Sequence, residues 1–139
     1  MPGNADLIRP IYEDWGRGNW RPNFEVYHPE MEWGWSDEFP GMEGVYRDAR
    51  DPNPRLQDWL GEWEHWRAEA EEYLEMGDYV VVLARYMGRG KGSGVDIHQE
   101  GAHVFKLRDG KVVRLEIFAT RKRAIEWVEA ALSRTPSAG

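Results

Sequence analysis

Cysteine is absent from the 139-residue chain, which excludes disulfides and thiolate chemistry and leaves the redox compartment open. Also missing is any apolar run approaching the roughly 18 residues that a membrane span needs. The amino terminus, Met1-Pro-Gly-Asn-Ala-Asp6, carries neither a charged leader nor an apolar stretch, so a soluble cytoplasmic protein is expected. Positive charge is in deficit. A net charge of −7 argues against nucleic acid as the main partner, and the one basic cluster, Arg121-Lys122-Arg123, reads as the solvated start of a helix. Only four histidines occur, and no two of them have metal-ligand spacing on one face, so neither a metal nor a cofactor is expected.

What the chain has in excess is tryptophan. Eight indoles can fill a core or wall a ligand site. With 41% hydrophobic and 31% charged residues the composition is globular, and the length suits one core. One domain over residues 1–132 is expected, followed by a disordered tail over 133–139.

Leu7, Ile8, Ile11, Tyr12 and Trp15 recur at helical spacing before Gly16 and Gly18, with Pro10 predicting a kink or a late start. Pro22–Tyr27 suggests a helical turn, Met31–Trp35 a short strand, and 36–54 a long loop. Arg55–Trp66 reads as a second helix, because Leu56, Trp59, Leu60 and Trp63 fall at i, i+3, i+4 and i+7. Arg67–Met76 is acidic, as an edge strand would be, and Tyr79–Met87 is apolar enough on both faces to be central. After a glycine-rich turn, Val95–Leu107 and Lys111–Thr120 complete an antiparallel meander, and Arg121–Leu132 closes the chain as an amphipathic helix. Helices first and a meander after indicate an α+β fold.

The last hairpin carries the sharpest signal. Asp109-Gly110 between two alternating runs is a strong turn marker. In that phase His103, Phe105 and Leu107 share one face and Ala102, Val104 and Lys106 the other. One imidazole is thereby set among apolar side chains, where it needs a partner or a ligand. Val112, Arg114, Glu116 and Phe118 fall on the opposite face and, with Ala102 and Val104, form a mixed patch suited to dimerisation. Arg85 and Glu116 could pair across the sheet as a structural ion pair.

Several phrases resemble one family: Ile11-Tyr-Glu-Asp-Trp-Gly-Arg-Gly-Asn19, Tyr27-His-Pro-Glu-Met-Glu-Trp33, Gly77-Asp-Tyr-Val-Val-Val82 and Ala102-His-Val-Phe-Lys-Leu-Arg-Asp-Gly-Lys-Val-Val113. In this order they resemble the SnoaL-like branch of the nuclear transport factor 2-like (ketosteroid-isomerase-like) superfamily. The resemblance implies a cone-shaped, strongly curved, mostly antiparallel sheet of cystatin-like type. It also implies about three helices on the concave face, one deep pocket and a homodimer. Members include isomerases, polyketide cyclases, dehydratases, epoxide hydrolases and pocket proteins without known activity.

Ketosteroid isomerases join a tyrosine to a protonated aspartic acid, facing an aspartate base. Carried over by position, Tyr12 matches the tyrosine, His103 stands at the neutral acid, and Trp35 stands where the base would be. Asp37, two residues on, would face the same way if the strand continued. The Arg-x-Asp pattern of the epoxide hydrolases is not found, since His98-Gln99-Glu100 occupies that region. Dehydratases of the superfamily use more than one histidine, and only His103 has the favourable phase here.

The expected function is acid–base chemistry of isomerase, cyclase or dehydratase kind on a small, mostly apolar organic ligand. His103 is the acid–base group, Tyr12 the hydrogen-bond donor and Asp37 an auxiliary base. Trp15, Trp33, Trp35, Trp59, Trp63, Phe105, Leu115 and Ile117 are expected to line the pocket. A homodimer is expected through Val104, Glu116 and Phe118. The alternatives are a core tyrosine, a core histidine and a solvated Asp37, which together describe a non-catalytic ligand-binding or interaction module. Complete satisfaction of Tyr12 and His103 by protein groups favours that module.

Overall fold

A computed structural model describes residues 3–18, 26–38, 44–46 and 61–134. Its elements are α1 (Asn4–Gly16), β1 (Tyr27–Trp35), β2 (Gly44–Tyr46), β3 (Trp63–Met76), β4 (Tyr79–Gly90), β5 (Asp96–Arg108), β6 (Lys111–Phe118) and α2 (Arg121–Arg134). The strands form one curled, mixed sheet in the order β2-β1-β6-β5-β4-β3. Among the described residues, only the β1–β6 pairing is parallel. No helix of the described residues is long and apolar enough to cross a membrane.

The meander forms where the turn chemistry dictates. Asp109 and Gly110 both take positive φ, 52° and 77°, the pair of left-handed residues that a tight hairpin with the right twist requires. β3 is an edge strand and is studded with glutamates, which discourages pairing with another chain. β4 is buried on both faces along most of its length. α1 buries Ala5, Ile8, Ile11, Tyr12 and Trp15 against the inner face of the sheet, and the Glu75 carboxylate at the end of β3 accepts the Ala5 N–H at 3.2 Å. The helix runs unbroken through Pro10, which faces solvent, where water can satisfy the carbonyl that proline leaves unpaired.

Several expectations are corrected. β1 begins at Tyr27 and runs through His28-Pro29, tolerating the proline because the β1–β6 register shifts between Tyr27 and Glu32. Within the stretch read as a long loop, Gly44–Tyr46 pairs with β1. Of the helix expected over Arg55–Trp66, the first six residues lie outside the described residues, and Trp63–Trp66 belong to β3. The turn expected over Pro22–Tyr27 also falls mostly outside them, with Tyr27 in a strand. Val112 points inward with Leu107, because a one-residue bulge at Val113 flips its side. The closing helix continues through Ser133 and Arg134. Arg85 pairs with Glu71 at 3.5 Å, while Glu116 pairs with Arg114, its neighbour two along β6.

The largest correction concerns the outer face. α2 lies on it, packing Ala124, Val128 and Ala131 over Val81, Leu83, Ala102, Val104 and Phe118. Val104 and Phe118, expected with Glu116 to be an open dimer patch, are therefore buried within the single chain, and Glu116 is buried beside them. Glu116 lies across Gly34, where any side chain would collide with its carboxylate, and burial raises its pKa against the opposing pull of Arg114. Glu38 fixes the start of α2. It accepts from Ser36 Oγ at 2.8 Å, from the Ala119 N–H at 3.0 Å and from Thr120 Oγ1 at 2.9 Å. Burial alone would raise the Glu38 pKa, but these hydrogen bonds and Arg123 outweigh it and hold the carboxyl below its ordinary value.

Candidate functional site

The site starts from alternation along β5. His103 points inward, and its register partners Val82 on β4 and Ile117 on β6 put the row Trp35–Ile117–His103–Val82–Tyr73 across the inner face. α1 crosses this row and brings Tyr12 onto it, one turn before Trp15. Tyr12 Oη lies 2.7 Å from His103 Nδ1, and Tyr86 Oη, from β4, hydrogen-bonds Nε2. The imidazole is 2% exposed and enclosed by rings, with the Trp15 indole edge-on at 5.4 Å between centroids.

Burial sets the protonation of all three groups. It pushes the His103 pKa down to about 3 and both phenols above their ordinary range, so the trio is neutral near pH 7. A neutral imidazole has one N–H donor and one acceptor nitrogen. Two phenols and one imidazole therefore hold three donor hydrogens, and the two internal bonds use two. Whichever tautomer is present, one tyrosine accepts from the ring N–H and keeps its own O–H unspent among the described residues.

Tyr86 reaches His103 because nothing stands in its way. It lies four register pairs along β4 from Val82, and midway between them Ala84 faces Gly101. The edge of the Tyr86 ring lies over Gly101, where a Cβ would overlap it. One step outward the Trp66 indole stacks on Tyr86, with centroids 5.5 Å apart and planes at 16°. Trp66 in turn lies over Gly88, where a Cβ would come within 2.6 Å of it. Gly101→Ala should therefore push Tyr86 off His103 and lower stability by about 2 kcal/mol, as overpacking does. Denaturant titration checks this, and an unchanged midpoint would contradict it.

Beside Trp66 opens a cleft of about 440 Å³ between the end of α1 and the start of β3. Gly16, Arg17, Gly18, Trp63, His65, Trp66 and Arg67 line it. His65 has a positive φ of 56° at the bulge where the β3–β4 register shifts between Glu64 and Arg67. That bulge turns Trp63 and Trp66, three residues apart, toward each other, with ring centroids at 4.9 Å.

The expected residues fall into three groups. Tyr12 and His103 are bonded to each other, and Trp15, Trp33, Trp35, Phe105, Leu115 and Ile117 join Tyr12 in the same buried inner-face cluster. Trp63 stands at the cleft, and Trp59 lies outside the described residues. Asp37 is not part of the site: β1 ends at Trp35, and Asp37 stands on the following turn, 75% exposed and 2.8 Å from Arg123. Sequence reasoning missed Tyr86, Trp66, Arg17, His65 and Arg67. Tyr86 could have been found, since it continues the inward parity of Val80, Val82 and Ala84. The Trp33 indole N–H is buried with no acceptor among the described residues. No metal-binding group of three or more His, Cys, Asp or Glu occurs among them.

The family model of the SnoaL-like domain matches residues 8–115. An NTF2-like protein from Burkholderia thailandensis E264 is 24% identical, with a TM-score of 0.71 over 98% of this chain and 100% of that one. A candidate SnoaL-like polyketide cyclase from Jannaschia sp. CCS1 is 19% identical, with a TM-score of 0.63 over 96% and 93%. A hypothetical protein with a ketosteroid isomerase-like fold from Catenulispora acidiphila DSM 44928, in complex with trimethylamine, is 11% identical, with a TM-score of 0.59 over 98% and 99%. No curated protein matches the chain. These likenesses establish the fold, and the family match covers most of the sequence: the chain belongs to the SnoaL-like domain family.

Proposed function

We propose that the chain binds a small, mostly apolar organic molecule and promotes proton movement next to a carbonyl or a leaving hydroxyl, as isomerases, cyclases and dehydratases do. The observation that carries this reading is the buried Tyr12–His103–Tyr86 group with its one unspent phenolic O–H. A fixed donor in a dry setting stabilises oxygen charge as it develops, the effect that usually supplies the largest catalytic term, while the carbon-bound proton passes to a buffer base or water, because no protein base faces the group among the described residues. His103, with a pKa pushed down to about 3, acts here as a neutral bridge rather than as a base.

One observation favours a second reading, a binding module without turnover. Both imidazole nitrogens are met by protein groups, and Asp37 stands away from the group. In either reading a second copy of the chain is a further candidate partner, but it reaches Val104 and Phe118 only with α2 moved aside.

Deuterium uptake at the α-carbons of 2-tetralone in D2O, followed by NMR, separates the two. The catalytic reading expects exchange above the buffer rate, reduced at least about tenfold in Y12F/Y86F by loss of the donor. Binding of 2-tetralone without faster exchange favours the module.

A further inference from the structure

An indole N–H can donate a hydrogen bond and cannot accept one, so a buried indole calls for an acceptor. Trp33 is 3% exposed, and its Nε1–H has no acceptor among the described residues. Its one aromatic neighbour among them is Tyr27, edge-on with ring centroids 5.8 Å apart. Trp15, Trp35, Trp63 and Trp66 each engage in further interactions, which sets Trp33 apart from them. A buried donor without an acceptor carries the full penalty of its lost hydration, and native proteins keep few of them. Where one is kept, an arriving acceptor recovers that penalty as binding energy.

The strand register places this donor relative to the buried phenols. Trp33 pairs with Leu115 and Leu115 with Phe105, which makes the inner-face row next to the one that carries His103. The Phe105 ring meets Tyr12 edge-on, with centroids 5.9 Å apart, and Trp33, Leu115, Phe105 and Tyr12 share one buried cluster. Two strand spacings across the sheet and one pleat along it put the Trp33 and His103 backbones about 12 Å apart. Leu115 and Ile117 of β6 stand between them, and neither side chain can hydrogen-bond.

We propose that Trp33 is a ligand-binding residue: its N–H takes an oxygen acceptor at the end of the ligand remote from the carbonyl that meets the unspent phenolic O–H. The proposal rests on the small-molecule reading above and deepens it by naming the ligand class, a ring system oxygenated at two ends and apolar between them. The apolar middle follows from Leu115, Ile117 and Phe105, which separate the two donors.

Calorimetric titration with 6-methoxy-2-tetralone and 6-ethyl-2-tetralone tests it. The two differ only in an ether oxygen for a methylene, across the rings from the carbonyl. The ether should bind about fivefold more tightly, the worth of one hydrogen bond, although the ethyl compound is the more apolar. Trp33→3-benzothienylalanine keeps the bicyclic shape and puts sulfur in place of the N–H. It should erase that margin and leave binding of the ethyl compound unchanged. The melting temperature of the free variant should be equal to or above that of wild type, because the unpaired donor is gone. In NMR spectra of the indole N–H groups, the signal missing from the variant belongs to Trp33 and should move downfield with the ether only. Equal affinity for the two compounds, a margin that survives in the variant, or a lower melting temperature of the free variant overturns the role of Trp33 and leaves the small-molecule reading standing. If neither compound binds, both are overturned.

Discussion

Replacing His103 with leucine should cost about 4 kcal/mol of folding stability, because it strands two buried phenolic hydroxyls that each cost about 1–3 kcal/mol when unpaired. In wild type both hydroxyls end on the one imidazole. Urea denaturation measures the loss. The triple variant H103L/Y12F/Y86F should recover most of it, since removing both partners of a buried hydrogen bond is far less harmful than removing one. A loss below about 1 kcal/mol in H103L would mean that the imidazole does not bridge the two tyrosines. The same residue is thus a structural keystone and the centre of the proposed donor group, so activity lost in H103L must be read against the fraction of protein folded.

The second large effect is acid sensitivity. The folded His103 pKa is pushed down to about 3, against 6.5 for the free side chain. Between those values the unfolded chain binds a proton that the folded one does not, so stability falls as pH falls. The contribution is complete above about pH 6.5 and is lost progressively toward pH 3, so acidification from pH 7 to pH 4 should remove about 3 kcal/mol through this residue. His103→Gln cannot take up a proton there, and its amide still offers one donor and one acceptor. Its pH profile should therefore be flatter than that of wild type by about that amount. Parallel denaturation curves at pH 7, 5.5 and 4 give the comparison. Superimposable wild-type and H103Q profiles would show that the ring is already solvated in the native state.

Both results depend on parity, and parity shows what could be read from the residues alone. The Asp109-Gly110 turn and strict alternation along β5 placed His103, Phe105 and Leu107 inward correctly, and helical spacing placed Tyr12 and Trp15 against them. The acidic stretch from Arg67 to Met76 did become an edge strand. Alternation failed wherever the chain inserts an extra residue. At His65 a bulge puts Trp63 and Trp66 on one side three residues apart, and that interval imitates a helical turn. At Val113 another bulge reverses Val112. Asp37 was lost for a related reason: it was assigned by extending β1 past Trp35, where the chain turns toward Glu38 and α2 instead. Tyr86 escaped because its reach to His103 depends on the bareness of Gly101, a residue with no side chain to signal its role.

The helix lying over the outside of the sheet also decides how two copies can meet. α2 is joined to β6 by only Ala119 and Thr120, so its apolar stripe sits tethered beside Val81, Leu83, Val104 and Phe118 at an effective concentration on the order of millimolar. A free molecule competing for those valines at micromolar dilution faces odds of roughly a thousand to one at equal intrinsic affinity. The intramolecular partner wins that contest unless crowding, truncation or a far better-fitting surface tips it.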